Sequence, residues 1–307
     1  MLEHSSGDLT VMVWEAMRMA PWTDAEMVRL LRRLPIDLNQ PLPNRATWLT
    51  LAASQGKYEA AKYMLRQRAD PELPNGRGET PLLSAIQSNS IEMIDMLIRS
   101  GADPKARDRQ GRTPLMLAAA RGALALVRYF ADIGNGLEDQ DKFRGTPLAH
   151  AAKTASVDTV KYLLDRGCRP CGLLKAYIIR RRYDAIQLLL ARGADPNEPD
   201  DKSSGTPLMY ACCEGDARIV TLLLLYGADS HFITKEGQTA LMCAAEFGHE
   251  AVIDILLSNG IALSARDSEG KTAVDYAEMQ GHAPIKRKLQ ALGARKGDER
   301  IVYFTRR

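Results

Sequence analysis

Apolar residues along the chain fall into short helical windows that recur in pairs, the first opening on Thr and the second closing on Gly. Thr-Pro-Leu stands at Thr80-Pro81-Leu82, Thr113-Pro114-Leu115, Thr146-Pro147-Leu148 and Thr206-Pro207-Leu208, with looser versions at Thr47-Trp48-Leu49, Thr239-Ala240-Leu241 and Thr272-Ala273-Val274. A Thr hydroxyl caps a helix by accepting from its early N–H groups, and Pro suits the first helical position, whose N–H has no partner anyway. Nine residues after these starts stand Gly56, Asn89, Gly122, Gly215, Gly248 and Gly281, with Ala155 and Arg181 at the same place in two units. Gly and Asn adopt the left-handed backbone that ends a helix. The second windows carry Ile94, Val160, Ile186, Val220 and Ile253, each three residues before Leu97-Ile98, Leu163-Leu164, Leu189-Leu190, Leu223-Leu224 or Leu256-Leu257. That spacing makes one apolar helical face, as a stacking surface needs.

The register is regular. Gly follows the start by 21 residues at Gly101, Gly134, Gly167, Gly227, Gly260 and Gly293. A degenerate unit opens at Trp14, its Asp37 in register with Asp70 and Asp103, and a shortened one runs from Gly172 to Gly193. The starts at 14, 47, 80, 113, 146, 172, 206, 239 and 272 are separated by 33 four times, then by 26, 34, 33 and 33. A fixed period in the thirties marks stacked units rather than one globular core. These residues resemble the ankyrin-repeat family over positions 14 to 295. The resemblance implies an all-α solenoid of helix-turn-helix units with β-turn fingers, about nine units counting degenerate caps. For function it implies a scaffold that binds a protein partner on its fingers and inner helices, without naming that partner.

The organisation expected is an N-terminal arm (1–13), an array (14–295) and a basic tail (296–307). Within the array, 14–43 forms an N-terminal cap from Trp14, Met17, Trp22, Met27, Leu30 and Leu31, with Arg32 where Leu or Ile is usual. Residues 272–295 form the C-terminal cap, in which Lys286 and Gln290 replace apolar residues while Ile285, Leu289 and Leu292 are expected to face inward. Polar end faces stop a stack from growing and predict a monomer. The tail segment Ile301-Val302-Tyr303-Phe304 reads as a short strand or a docking peptide. The register breaks once, where only Cys168-Arg169-Pro170-Cys171 remains of a finger. The degenerate unit that follows (172–195) has Tyr177 and Ile178 in place of the usual Ala pair and Arg181 in place of Gly, bulk expected to spread or tilt the neighbouring helices.

Composition narrows the chemistry. Charged residues are 26% and the net charge is +3, too balanced to imply nucleic acid. No run approaches the ~20 apolar residues of a bilayer span, and residues 1 to 10 lack the apolar stretch of a cleaved signal. Five cysteines, an odd number placed mostly on helices, point to a reducing interior and so to the cytoplasm. Cys168-x-x-Cys171 has the spacing of half a zinc site, but zinc needs four ligands and no second pair follows; a zinc clip is the lesser reading and small core or surface thiols the better one. His150 falls at a core position equivalent to Leu51 and Leu117. His249 and His282 follow turn glycines, where the resemblance implies a structural His bonded to backbone. No nucleophile, base or phosphate loop has the needed spacing, so the chain is read as no enzyme and without cofactor or metal.

The expected partner surface comprises Arg109, Arg112, Arg121, Phe143, Arg144, Lys175, Arg180, Phe232, Lys235, Glu246 and Phe247, on fingers and variable first-helix positions. Exposed Phe and Arg are the usual anchors of an interface. The surface is expected to centre on the missing finger, from Phe143 and Arg144 to Phe247. A second reading is a sensor holding a phosphorylated small molecule or an RNA end at Lys175 and Arg180, recognisable by steep salt dependence. A third, the adaptor arm of an enzyme complex, is not separable from the first in sequence. The basic clusters Arg166, Arg169, Lys175, Arg180, Arg181, Arg182 and Lys286, Arg287, Lys288, Arg295, Lys296, Arg300, Arg306, Arg307 read better as solvated faces than as phosphate sites, since aromatic interleaving is nearly absent.

Overall fold

The computed structural model of the chain describes residues 22–33, 37–42, 45–153, 156–200 and 204–294. The arm (1–13), Trp14 and Met17 of the N-terminal cap, Ala155, Arg295 and the tail (296–307) lie outside the described residues. The described residues are helices and turns, with no strand. None of these helices is long and apolar enough to cross a membrane. The chain divides into two compact units, Met1–Cys168 and Arg169–Arg307, and the division falls where the finger is missing.

The first unit holds α1 (Asp24–Arg33), α2 (Trp48–Ser54), α3 (Tyr58–Arg66), α4 (Pro81–Ala85, continued by a 3-10 turn Ile86–Ser88), α5 (Ile91–Arg99), α6 (Pro114–Arg121), α7 (Leu124–Asp132), α8 (Pro147–Lys153) and α9 (Val157–Asp165). The second holds α10 (Leu174–Ile179), α11 (Tyr183–Ala191), α12 (Pro207–Glu214), α13 (Ala217–Leu225), α14 (Ala240–Glu246), α15 (Glu250–Ser258), α16 (Ala273–Met279) and α17 (Ala283–Ala291). Each repeat starts as its Thr dictates. The hydroxyls of Thr47, Thr80, Thr113, Thr206 and Thr239 accept from the third helical N–H, and Thr146 does so from Ala149. Left-handed residues close the first helices at Gly122, Gly215 and Asn89, and Arg181 adopts the same backbone with φ 51° despite its side chain. Arg68, with φ 66°, likewise takes the place that Gly holds after most second helices.

First helices pack on first helices, α2 on α4 and α6 on α8 in the first unit, α10 through α12 and α14 to α16 in the second. Small buried pairs such as Ala52-Ala53, Ala118-Ala119 and Ala244-Ala245 permit that approach. Second helices form the other layer and bury Ile94 with Leu97, Val160 with Leu163, Ile186 with Leu189, Val220 with Leu223 and Ile253 with Leu256. Fully burying such a side chain contributes about 1.5–3 kcal/mol. The apolar pairs are not uniformly inward: Leu164 and Leu190 are buried, but Ile98, Leu224 and Leu257 are only half-buried. Tyr177 and Ile178 are both buried in α10, and the Tyr177 hydroxyl has no hydrogen-bond partner; burial pushes its pKa up to about 12.

At the end repeats the structure corrects one expectation. The Asp24 carboxylate accepts from Glu59 N–H and Ala60 N–H at 2.8 Å each and so caps α3, while Met27 and Leu31 are buried and Arg32 lies over the Tyr63 ring. In α17, Ile285 and Leu289 are buried and Lys286 pairs with Glu278 at 3.0 Å. Leu292, expected inside, is 53% exposed. It lies just past the helix, its N–H bonded to the carbonyls of Lys288 and Leu289, and Gly293 (φ 92°) then turns the chain so that Ala294 returns to the core instead.

Candidate finger surface

The fingers are built on one chemical device that the sequence pattern does not single out. Each finger turn closes by a backbone bond, Asn75 N–H to Glu79 O, Asp108 N–H to Arg112 O, Asp141 N–H to Gly145 O, Thr234 N–H to Gln238 O and Asp267 N–H to Lys271 O. In four of these turns a side-chain oxygen at the base, of Asn75, Asp108, Asp141 or Asp267, accepts two more N–H groups, while the Thr234 hydroxyl accepts one from Gln238. Asp141 Oδ1 takes those of Phe143 (2.8 Å) and Gly145 (2.7 Å), and Asp108 Oδ1 takes those of Gln110 and Arg112 at 2.9 Å each. In the three turns that carry Asp, the second oxygen accepts from a side chain at or beyond the end of the turn. Asp141 Oδ2 accepts from the buried His150 ring at 2.8 Å, Asp267 Oδ2 from the Tyr276 hydroxyl at 2.7 Å, and Asp108 Oδ2 from Arg112 at 2.6 Å. His150, Tyr210 and Tyr276 stand four residues after their Thr, so an acid in the finger and a donor at that place are the sequence signal for this bond. Gly145 is required by the close approach: a β-carbon there would stand 2.9 Å from Asp141 Oδ2 and 3.1 Å from His150 Nε2.

Lys175 belongs to the same device in the second unit. Its ammonium donates to Asp200 Oδ2 at 2.6 Å and to the Tyr210 hydroxyl at 2.7 Å, and lies 4.2 Å from the centre of the Tyr210 ring. Burial works against its charge, but these two hydrogen bonds outweigh it and hold its pKa above the ordinary value. Glu198, whose carboxylate accepts from Gly172 N–H at 2.6 Å, lines the same small cleft. The cleft therefore sets two carboxylates against one ammonium, the wrong balance for a phosphate.

The other expected surface residues divide into held and free. Arg112 is held by Asp108, Arg121 donates to Gln87 O at 3.3 Å, and Arg180 donates to Ala176 O at 3.0 Å while exposed. Arg109, Arg144 and Lys235 are exposed, and Phe232 and Glu246 are half-buried. Phe143 is 77% and Phe247 53% exposed, the latter stacked on His249 with ring centres 6.4 Å apart. Ile233, beside Phe232, is 55% exposed and was not among the expected residues. His249 and His282 bond to the carbonyls of Cys213 (2.8 Å) and Glu246 (3.0 Å), and so tie each unit to the one before, as expected. Cys212 is buried at its Ala-like position, and the buried Cys168 thiol donates to Leu137 O at 3.7 Å, its pKa pushed up by burial to about 12.

Arg144 stands in the left-handed backbone (φ 64°) two residues before its Thr, where Gly78, Gly111, Gly237 and Gly270 serve other fingers. An L side chain there costs about 1–2 kcal/mol. Arg144→Gly is therefore expected to raise stability by up to ~1 kcal/mol in urea denaturation; a loss of stability would show that the guanidinium supports the fold.

The family model described as ankyrin repeats (3 copies) matches the chain over residues 16–108, 100–171, 174–267 and 208–299, nearly its whole length. The chain belongs to the ankyrin-repeat family. Short stretches are similar to named proteins. One is an ankyrin repeat protein of Fowlpox virus (39% identical over 64 residues, 21% of this chain and 14% of that protein). Another is the ankyrin repeat and LEM domain-containing protein 1 homolog of Caenorhabditis elegans (43% over 61 residues, 20% and 8%). A third is the 2-5A-dependent ribonuclease of Mus musculus (44% over 59 residues, 19% and 8%). The matched part is at most 14% of each relative's own length, so their activities say nothing direct about this one. Ankyrin repeats generally mediate protein–protein interaction.

Proposed function

We propose that this ankyrin-repeat protein is a non-catalytic scaffold or adaptor, and that each compact unit binds protein through its own fingers and first helices. In the first unit the anchors are Phe143, Arg109, Arg121 and Arg144. In the second they are Phe232, Phe247, Lys235 and Glu246, with Arg180 at the rim. Arg112 and Lys175 serve to hold fingers in place. The observation that carries the proposal is Phe143, an aromatic ring 77% exposed on a turn clamped by Asp141 and His150. A large apolar group held rigidly in water is an anchor already ordered for binding. The sensor reading is not favoured, because Lys175 already has its carboxylate and the adjoining cleft carries a second one.

Affinity capture from native lysate at low and moderate salt tests the reading. Changing Phe143, Arg180 and Phe247 together to Ala is expected to abolish capture while the helical signal and melting point stay nearly intact. Capture that survives this variant but is lost when residues 296–307 are removed would assign recognition to the tail and overturn the finger reading.

A further inference from the structure

The fingers of the first unit segregate charge in a way that those of the second do not. At the tips (75–79, 108–112 and 141–145) the carboxylates are buried and already engaged: Glu79 bonds to Asn75, Asp108 to Arg112 and Asp141 to His150. Apart from Arg112, held by Asp108, the cations of these tips point the other way. Arg77, Arg109, Lys142 and Arg144 are exposed, and none of the four makes an ion pair among the described residues. The three finger tips abut. Lys142 N–H donates to Gln110 O at 2.9 Å, and β-carbons at Gly78 and Gly111 would meet the side-chain stems of Arg109 (2.5 Å) and Lys142 (3.3 Å). The two glycines thus let the cationic stems lie across the preceding finger, and the four charges form one edge with Phe143 at its end. In the second unit, Lys271 pairs with Glu269 at 2.5 Å and exposed Lys235 is followed by exposed Glu236, so no such edge arises.

We propose that the finger edge of the first unit, Arg77, Arg109, Lys142 and Arg144 with Phe143, docks an acidic polypeptide segment that also carries an apolar or aromatic side chain. The inference rests on the protein-binding reading above and names the chemistry of the partner. Free guanidinium groups bind carboxylates through paired, charge-assisted hydrogen bonds, and a single exposed ring supplies one apolar anchor. A polypeptide fits better than a nucleic acid. Exposed Glu72 and Asp103 stand on the same fingers and would repel a continuous row of phosphates, whereas carboxylates on a peptide are spaced and adjustable. A strand of bases also needs several stacking rings, and this edge offers Phe143 alone.

Fluorescence anisotropy on the full chain, with a labelled random copolymer of glutamate and tyrosine as probe, tests the inference. Replacing Arg77, Arg109, Lys142 and Arg144 with Gln is expected to weaken binding by about tenfold or more and to flatten its salt dependence. A control with Lys62, Arg99, Arg128 and Lys161 changed to Gln removes the same charge from second helices of the same unit. It is expected to weaken binding by no more than about twofold, since long-range charge is screened at physiological salt. Equal losses in the two variants, or tighter binding of an oligouridylate than of the copolymer, would overturn it. If the copolymer ignores the four cations while capture is still lost in the Phe143, Arg180 and Phe247 variant, the acidic partner is wrong and the protein-binding reading stands.

Discussion

Leu223→Ala is expected to lower stability by about 2–5 kcal/mol, the usual cost of emptying a fully buried leucine site, whereas Lys235→Ala is expected to change it by less than ~0.5 kcal/mol. Leu223 is completely buried in α13, which packs against α11, α12 and α15, so the cavity has walls on several sides and little means of collapsing. Lys235 stands exposed on a finger and forms no ion pair among the described residues. Because repeats touch only their neighbours, the damage is expected to stay local, and unfolding in urea is expected to broaden or split rather than simply shift. Equal melting shifts for the two variants would show that the assignment of inner and outer positions is wrong.

The repeat was legible because its chemistry is local. A Thr that caps, a Pro that fits the first turn and an apolar pair three residues beyond a branched residue each act within one helix, so position along the chain carries the information. The left-handed closures were legible only where Gly or Asn marked them. Arg68, Arg144 and Arg181 take the same backbone because the surrounding repeat imposes it, and no local preference announces that. Leu292 was misplaced for a related reason: its helical register points inward, but the helix has already ended there.

The finger chemistry was less legible because it joins residues from different elements. Asp141 and His150 are nine apart, Asp267 and Tyr276 likewise, and Lys175 reaches Asp200 from a different repeat. The sequence places His150 at a core position, but nothing local names Asp141 as its partner. Lys175 looked like a free cation for the same reason, since the carboxylate that engages it belongs to the next finger. The exposed rings were easier. Phe143 and Phe247 occupy places that serve no packing role in other repeats, so their chemistry stands out in the sequence alone. Ile233 carries no such mark, because a branched apolar residue beside Phe232 reads as packing.

Asp141→Ala is expected to cost about 2–4 kcal/mol, more than a surface carboxylate, because one side chain serves three donors. Its loss leaves the N–H groups of Phe143 and Gly145 and the buried ring of His150 without their acceptor. Adding His150→Leu is expected to recover part of that loss, since Leu51 and Leu117 fill the same place in other repeats and leave no ring nitrogen to satisfy. The pair also predicts a pH dependence. Burial lowers the His150 pKa and outweighs the opposing hydrogen bond to Asp141, so the folded state takes up the proton less readily than the unfolded chain. The neutral ring therefore contributes stability above its ordinary value of 6.5, and that contribution is lost as the pH falls below it. Burial raises the pKa of Asp141, but the N–H groups of Gly145 and Phe143 and the His150 ring together hold it below 3.8, so its contribution is lost only at lower pH. Denaturation midpoints followed from pH 8 to 3 should thus fall in the wild type as the pH drops below about 6.5, the ordinary histidine value, and His150→Leu should lack that first decline. An unchanged decline in His150→Leu would remove His150 from the account.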